Sequence, residues 1–167
     1  MLAGADHLPT ISAARITLRS LTAADIPALF DIFGDRVVCG YWSRPALQDI
    51  TGAQDLYDEI IRLFAEPSLF HWGIADRVAD RIVGTCTLAS LSADHHRAEV
   101  GFALARAAWG KGYMAEALPA LIGFAFETLD LHRLEADVDP RNVRSIGLLE
   151  RAGFRLEGRM RERYHLN

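Results

Sequence analysis

Lysine is almost missing from this 167-residue chain: of 18 basic Lys and Arg side chains only Lys111 is a lysine, which leaves 17 arginines. Cysteine is scarce as well. Cys39 and Cys86 stand far apart in apolar or mixed surroundings, so neither a disulfide framework nor a Cys/His cluster with zinc spacing is available, and no metal is expected. No apolar run approaches the roughly 20 residues that cross a bilayer. No charged-then-apolar leader precedes the first strand-like segment, and the expected compartment is the cytoplasm. Excess positive charge is lacking too: the net charge of -4 argues against sequence-independent nucleic-acid binding and mildly favours cationic amine substrates. Repeats, low-complexity tracts and linkers are absent, so residues 1–167 are expected to form one domain. Half of the residues are hydrophobic, enough at this length to bury a core without covalent staples.

The pattern along the chain is α/β. Arg15 to Arg19 alternates as a short strand, and Leu21-Thr22-Ala23-Ala24-Asp25 reads as a hydrophobic staple and capping box opening a helix to about Phe33. Ala46 to Ala65 has Ile50, Leu56, Ile60, Ile61 and Phe64 near helical spacing, with a stop before Pro67. Leu69 to Ala75, Arg81 to Leu91 and His95 to Ala105 read as three consecutive strands, the first two joined by a polar turn from Asp76 to Asp80. Met114 to Leu129 is helical, with Pro119 kinking it or marking its first turns. Arg133 to Asp139 is a further strand, Pro140 and Asn142 open a short helix that Gly153 ends, and a last strand begins at Phe154.

The single lysine lies in Trp109-Gly110-Lys111-Gly112-Tyr113-Met114, between a strand-like segment and a helix. Glycines there let a ligand approach the backbone, and the first helical turn offers unpaired N–H groups at the positive end of the helix dipole. That arrangement suits a phosphate or pyrophosphate. A Walker loop needs GxxxxGK followed by Ser or Thr, and a dinucleotide fingerprint needs a third glycine; neither condition holds. Two glycines before a helix are by themselves an ordinary turn.

The stretch resembles the acetyl-coenzyme A pyrophosphate loop of the GNAT N-acetyltransferases, Gln/Arg-x-x-Gly-x-Gly/Ala. It is most similar to the branch that includes the ribosomal-protein N-terminal acetyltransferases, in which a Trp-Gly-Lys-Gly-Tyr run is typical. Trp109 stands at the Gln/Arg position, and Met114 at the final Gly/Ala position is a departure whose bulk is expected to crowd the pyrophosphate. A second landmark agrees: Asn142-x-x-Ser145, then Leu148 to Phe154 closing in Gly153-Phe154, resembles the family's Asn-x-x-Ser helix. The order β-αα-βββ-α-β-α-β covers nearly the whole GNAT fold, a mixed, mostly antiparallel sheet flanked by helices and split between its fourth and fifth strands. The chain is C-terminally short of that pattern: it ends at Tyr164-His165-Leu166-Asn167, and the seventh strand is missing. Either the sequence is truncated before that strand or a second chain supplies the missing edge, which would give a homodimer.

The resemblance implies acetyl-CoA as co-substrate, an amine as acceptor and no metal. The pantetheine arm would pair with the main chain of Phe102, Ala103 and Leu104, where a backbone N–H could also hold the oxyanion. The pyrophosphate would lie on Trp109, Gly110, Lys111, Gly112, Tyr113 and Met114, and Asn142 would hold the arm from the far side. The amine must be neutral to attack, although alkylamines titrate near ~10.4, so a base is needed. Glu99 is the leading candidate, with His95, His96, Glu162 and Tyr164 as alternatives and pairing with Arg97 as the bland role for Glu99. The family's usual tyrosine acid falls on Leu149, and Ser145 is the matching donor to the leaving thiolate. The acceptor groove would be bordered by the segment from Phe33 to Trp42, the second helix and the Phe70-His71-Trp72 cluster, whose aromatics are more often core than pocket. Candidate acceptors are a protein or peptide N-terminal α-amine or a small-molecule amine. A non-catalytic acyl-CoA-binding sensor or scaffold is the second reading, supported by Leu149 and Met114.

Overall fold

The computed structural model describes residues 7–66 and 68–163. Its strands are β1 (Ile11–Ser12), β2 (Ile16–Ser20), β3 (Leu69–Asp76), β4 (Ile82–Ser92), β5 (Arg97–Leu104) and β6 (Arg133–Glu135). They form one sheet in sequence order, antiparallel throughout except for the parallel β5–β6 pair. The helices are α1 (Ile26–Phe33), α2 (Ile50–Ala65), α3 (Tyr113–Glu127) and α4 (Val143–Arg151). Alternation along the strands separates two apolar layers. Leu18, Trp72, Cys86 and Val100 meet Leu118 and Leu121 of α3 and Leu149 of α4. On the opposite face, Ile82 and Ala103 meet Leu29 and Ile32 of α1 and Ile60 of α2.

The expected capping box is present at the start of the first helical segment. Asp25 accepts from the Thr22 N–H at 2.8 Å and the Thr22 hydroxyl at 2.9 Å. Its two oxygens also take both Arg19 Nη atoms, at 2.8 and 3.0 Å, a fork that ties β2 to α1. Burial opposes ionisation of Asp25, but the bonds from Arg19 and Thr22 outweigh it and hold the carboxyl below the usual carboxylate range. Replacing Asp25 by alanine therefore removes a cap and leaves Arg19 short of its inner partner. The expected loss is about 2–4 kcal/mol of unfolding free energy in a denaturant titration.

Four features differ from the expectations, add to them or decide between them. Ile11–Ser12 forms a hairpin with β2 that no alternation announces, because two residues are too few to show a period. The strand expected over Arg133 to Asp139 stops at Glu135, where the chain leaves β5. Phe154 to Arg163 contains no strand; Arg133 instead grips Glu157 through side chains, and Tyr164 to Asn167 lie outside the described residues. Pro119 falls inside α3 rather than in its first turn; Ala115, four residues earlier, is exposed, so its carbonyl can turn to water.

Candidate functional site

The glycine loop has the geometry that its sequence requires. Gly110 and Gly112 have φ of 74° and 80°, in the region where only glycine rests without strain, and Gly112 is the N-cap of α3. Among the described residues, the N–H groups of Gly110, Lys111 and Gly112 donate to no backbone carbonyl. With the orphan donors of the first turn of α3 they make an anion site of backbone dipoles. Lys111 is exposed beside them. Met114 does not crowd this surface: its side chain is buried under the sheet with Ala117 and Leu118, since the second position of α3 faces inward.

A residue that sequence reasoning missed holds the loop from behind. Arg15, in the turn between β1 and β2, donates from Nη1 to the Lys111 carbonyl at 3.0 Å, and its own N–H donates to Glu116 Oε2 at 2.9 Å. Its Nε bonds the same Glu116 carboxylate, and its guanidinium lies 5.5 Å from the centre of the Tyr113 ring. Tyr113 in turn donates its hydroxyl to Asp76 Oδ2 at 2.9 Å. Four residues from three elements thereby orient one peptide unit. No sequence signal leads to this contact, because Arg15 and Glu116 are 101 positions apart.

The split in the sheet is visible in the register. β5 and β6 pair at Arg97–Arg133, Ala98–Leu134 and Glu99–Glu135, then part. The Ala105 N–H donates to Val83 of β4 at 2.9 Å. Alternation therefore turns the main chain of Ala103 and Gly101 toward β4 and that of Phe102 and Leu104 into the split. Of the three residues expected to pair with a ligand there, Ala103 is thus already committed to its neighbour. The Leu104 carbonyl is filled by Trp109 Nε1 at 2.9 Å. Trp109 closes the end of β5 and supports Arg144 of α4 over its ring at 5.4 Å, a packing role rather than an anion contact.

Glu99 is partly exposed on the α1/α2 face and joins no ion pair among the described residues. Arg97, its bland partner, reaches Glu135 instead at 3.0 Å. Desolvation, then Asp137 and Glu135, push the Glu99 carboxyl above the usual carboxylate range, and Arg163 pulls it partway back. The alternative bases are placed differently. His95 and His96 occupy the β4–β5 turn, and His96 Nδ1 is tied to the Asp130 carbonyl at 2.8 Å. Glu162 lines a shallow concavity of about 660 Å³ with Asp139, Arg141, Arg159 and Arg161, none of them from β5. Tyr164 lies outside the described residues.

Asn142 caps α4, its side chain accepting from the Ser145 N–H at 3.2 Å. Ser145 is half-buried in the first turn, and Leu149 one turn later is packed into the core. Of the cluster expected at the acceptor groove, Phe70 and Trp72 belong to the core on the far face, where Trp72 meets Phe124 edge to face at 5.6 Å. Only His71 of the three points the other way.

A glycine-flanked helix start beside a sheet split at its fifth strand is the arrangement expected of an acyl-CoA-dependent transferase. The family model for the acetyltransferase (GNAT) domain matches residues 15–155, and the chain belongs to that family. It is an acetyl-CoA-dependent N-acetyltransferase. An uncharacterized N-acetyltransferase, p20, of Bacillus licheniformis is 34% identical over 93% of this chain and 87% of its own. The ribosomal protein uS5-alanine N-acetyltransferase of Escherichia coli is 35% identical over 54% of this chain and 47% of its own. The crystal structure of spermidine N-acetyltransferase from Vibrio cholerae in complex with CoA and spermine superimposes with a TM-score of 0.81, at 22% identity, over 92% of this chain and 88% of that one, a likeness of fold. No group of His, Cys, Asp and Glu able to hold a metal occurs among the described residues, and none of their helices is long and apolar enough to cross a membrane.

Proposed function

We propose that the chain transfers the acetyl group of acetyl-CoA directly to a primary amine in a ternary complex, the acceptor being a protein or peptide N-terminal α-amine or a small-molecule amine. The observation that carries this reading is Glu99, a carboxylate raised in pKa and unpaired among the described residues, on the strand that borders the split. The coenzyme's phosphates lie on the N–H groups from Gly110 to Met114. The pantetheine arm pairs with the main chain of Phe102 and Leu104, and the Asn142 amide reaches it from α4. The acceptor comes from the α1/α2 face.

The neutral amine attacks the thioester carbon while the carbonyl oxygen gathers charge toward a β5 N–H, worth roughly 3 kcal/mol when well aimed. Glu99 takes the amine proton. It precedes Phe102 by three residues, about 10 Å of strand, so a bridging water carries the proton. Collapse of the intermediate breaks the C–S bond and expels the thiolate, to which Ser145 offers its hydroxyl. A 35% identical stretch in an enzyme named for an alanine of ribosomal protein uS5 supports a protein amine as acceptor; a further E. coli relative, 24% identical over 93% of this chain, is named for spermidine.

Calorimetric titration with acetyl-CoA, with dephospho-CoA and ATP as controls, followed by thiol release with peptide and polyamine acceptors, tests the reading. Micromolar binding and turnover are expected; a folded sample that binds no acetyl-CoA refutes it. In the same assay Arg15→Gln should weaken acetyl-CoA binding about tenfold, or about 1.4 kcal/mol, and leave the KM for the amine unchanged. An equal rise in both constants would mean that Arg15 serves the fold in general and not the loop.

A further inference from the structure

The face of the sheet under α1 and α2 carries polar groups that the coenzyme does not use. Register sets His71 of β3 beside Thr87 of β4, and Thr87 beside Gly101 of β5, so the three form one row across the sheet. Leu69, Ala89 and Glu99 form the adjacent row. Alternation sends both rows to the α1/α2 side, where their neighbour Ala103 packs, while Trp72, Cys86 and Val100 point to the α3 side. Strands of a sheet lie ~4.8 Å apart and rise ~3.3 Å per residue, which sets Thr87 about 8 Å and His71 about 12 Å from Glu99 along the backbone surface.

Two independent features mark this row as built for a ligand. His71 is only 6% exposed, and its Nε2 has no hydrogen-bond partner among the described residues. A buried polar atom left without a partner costs about 1–3 kcal/mol, and most such atoms are paired. Gly101 is the second feature: a Cβ there would stand 2.6 Å from Thr87 Oγ1, so the missing side chain opens a notch in front of that hydroxyl. Exposure falls along the row, from Gly101 and Thr87, both partly open, to the closed His71. The row therefore runs from an open end at β5 inward to the enclosed imidazole.

Resting on the acetyltransferase reading above, we propose that this row forms the pocket for the tail of the acceptor: the amine stands at Glu99, and an uncharged hydrogen-bonding group beyond it, a hydroxyl or a peptide group, seats against Thr87 Oγ1 and, as the enclosed end of the row opens to it, His71 Nε2. Charged tails are disfavoured. Burial pulls the His71 imidazole down to about 4, so it is neutral at physiological pH and has no charge with which to pair a carboxylate. A second ammonium would have to be desolvated against a hydroxyl and an imidazole alone. The pocket thus selects a peptide-like or hydroxyalkyl amine over an amino acid carboxylate or a diamine.

Four amines of matched length test this: 5-amino-1-pentanol, hexylamine, 5-aminopentanoate and 1,5-diaminopentane, each assayed for kcat/KM at saturating acetyl-CoA. The hydroxyl compound should exceed each of the others about tenfold, the scale of one well-placed hydrogen bond. In Thr87→Val and His71→Leu the ratio of 5-amino-1-pentanol to hexylamine should fall to about one. Gly101→Ala, which fills the notch, should lower kcat/KM for 5-amino-1-pentanol while the Kd for acetyl-CoA stays the same. Thr87→Val keeps the shape of the side chain, so the test stands even if His71→Leu does not fold. A ratio near one in the unaltered protein, a ratio unmoved by Thr87→Val, preference for a charged tail, or no turnover of any of the four by protein that binds acetyl-CoA would each overturn the pocket. Failure of the folded protein to bind acetyl-CoA would overturn the acetyltransferase reading itself, and the pocket with it.

Discussion

Replacing Gly112 with valine should reduce acetyl-CoA affinity at least about 100-fold, or about 2.7 kcal/mol, with little change in the rest of the fold. Two effects add. A β-branched residue at φ of 80° is strained by roughly 1–3 kcal/mol, and its Cβ would stand 2.9 Å from Arg15 Nη2, the side chain that orients the Lys111 peptide. The loop must shift to relieve both, and the N–H groups proposed to cradle the phosphates shift with it. Gly110→Ala separates the two effects, since φ is 74° there but the space around its Cβ is open; a smaller loss is expected. Lys111→Ala should cost less still, about threefold, because backbone dipoles hold the anion and the exposed ammonium adds a screened charge. Calorimetric titration, with circular dichroism as a check of folding, measures all three. Unchanged affinity in Gly112→Val would remove the loop from the coenzyme site.

Glu99→Gln should lower kcat by about 10²–10³-fold while the Kd for acetyl-CoA holds. The pH profile gives the more specific signature. Glu99 works as a base only when ionised, and burial beside Asp137 and Glu135 raises its pKa. Activity should therefore fall on the acid side through a pKa above the ordinary ~4.3 of glutamate, and that limb should vanish in Glu99→Gln. Stability moves the other way. A carboxyl whose folded pKa is raised favours the folded state below its unfolded pKa, and that contribution is lost as pH rises through the folded value. At neutral pH the glutamine variant should be at least as stable as the parent. A variant with both lower activity and a lower melting temperature would point instead to a structural glutamate.

Much of this architecture is legible in the chain. The capping box at Thr22 and Asp25, the helical spacing of Ile60 and Phe64, the glycine turn before α3 and the Asn142 cap are each specified by residues within a few positions of one another, and each appears where it was expected. The split between β5 and β6 followed from the resemblance to the family, and the register shows it. The chain does not disclose side-chain direction in the same way. Met114, counted as an obstacle in the loop, turns under the sheet; Trp109, counted among the phosphate contacts, instead satisfies the Leu104 carbonyl.

Local backbone conformation and helix boundaries are thus determined by the sequence itself, because glycine torsions, caps and hydrophobic period act over one or two turns of chain. Tertiary structure decides which distant groups meet. It brings Arg15 to Lys111 and Glu116, aligns His71 with Thr87 and Gly101, and leaves Glu99 desolvated near Asp137. Those contacts arise when strands of unlike sequence position are packed in register, and the charge, burial and hydrogen bonding of each group follow from neighbours that no spacing along the chain can name.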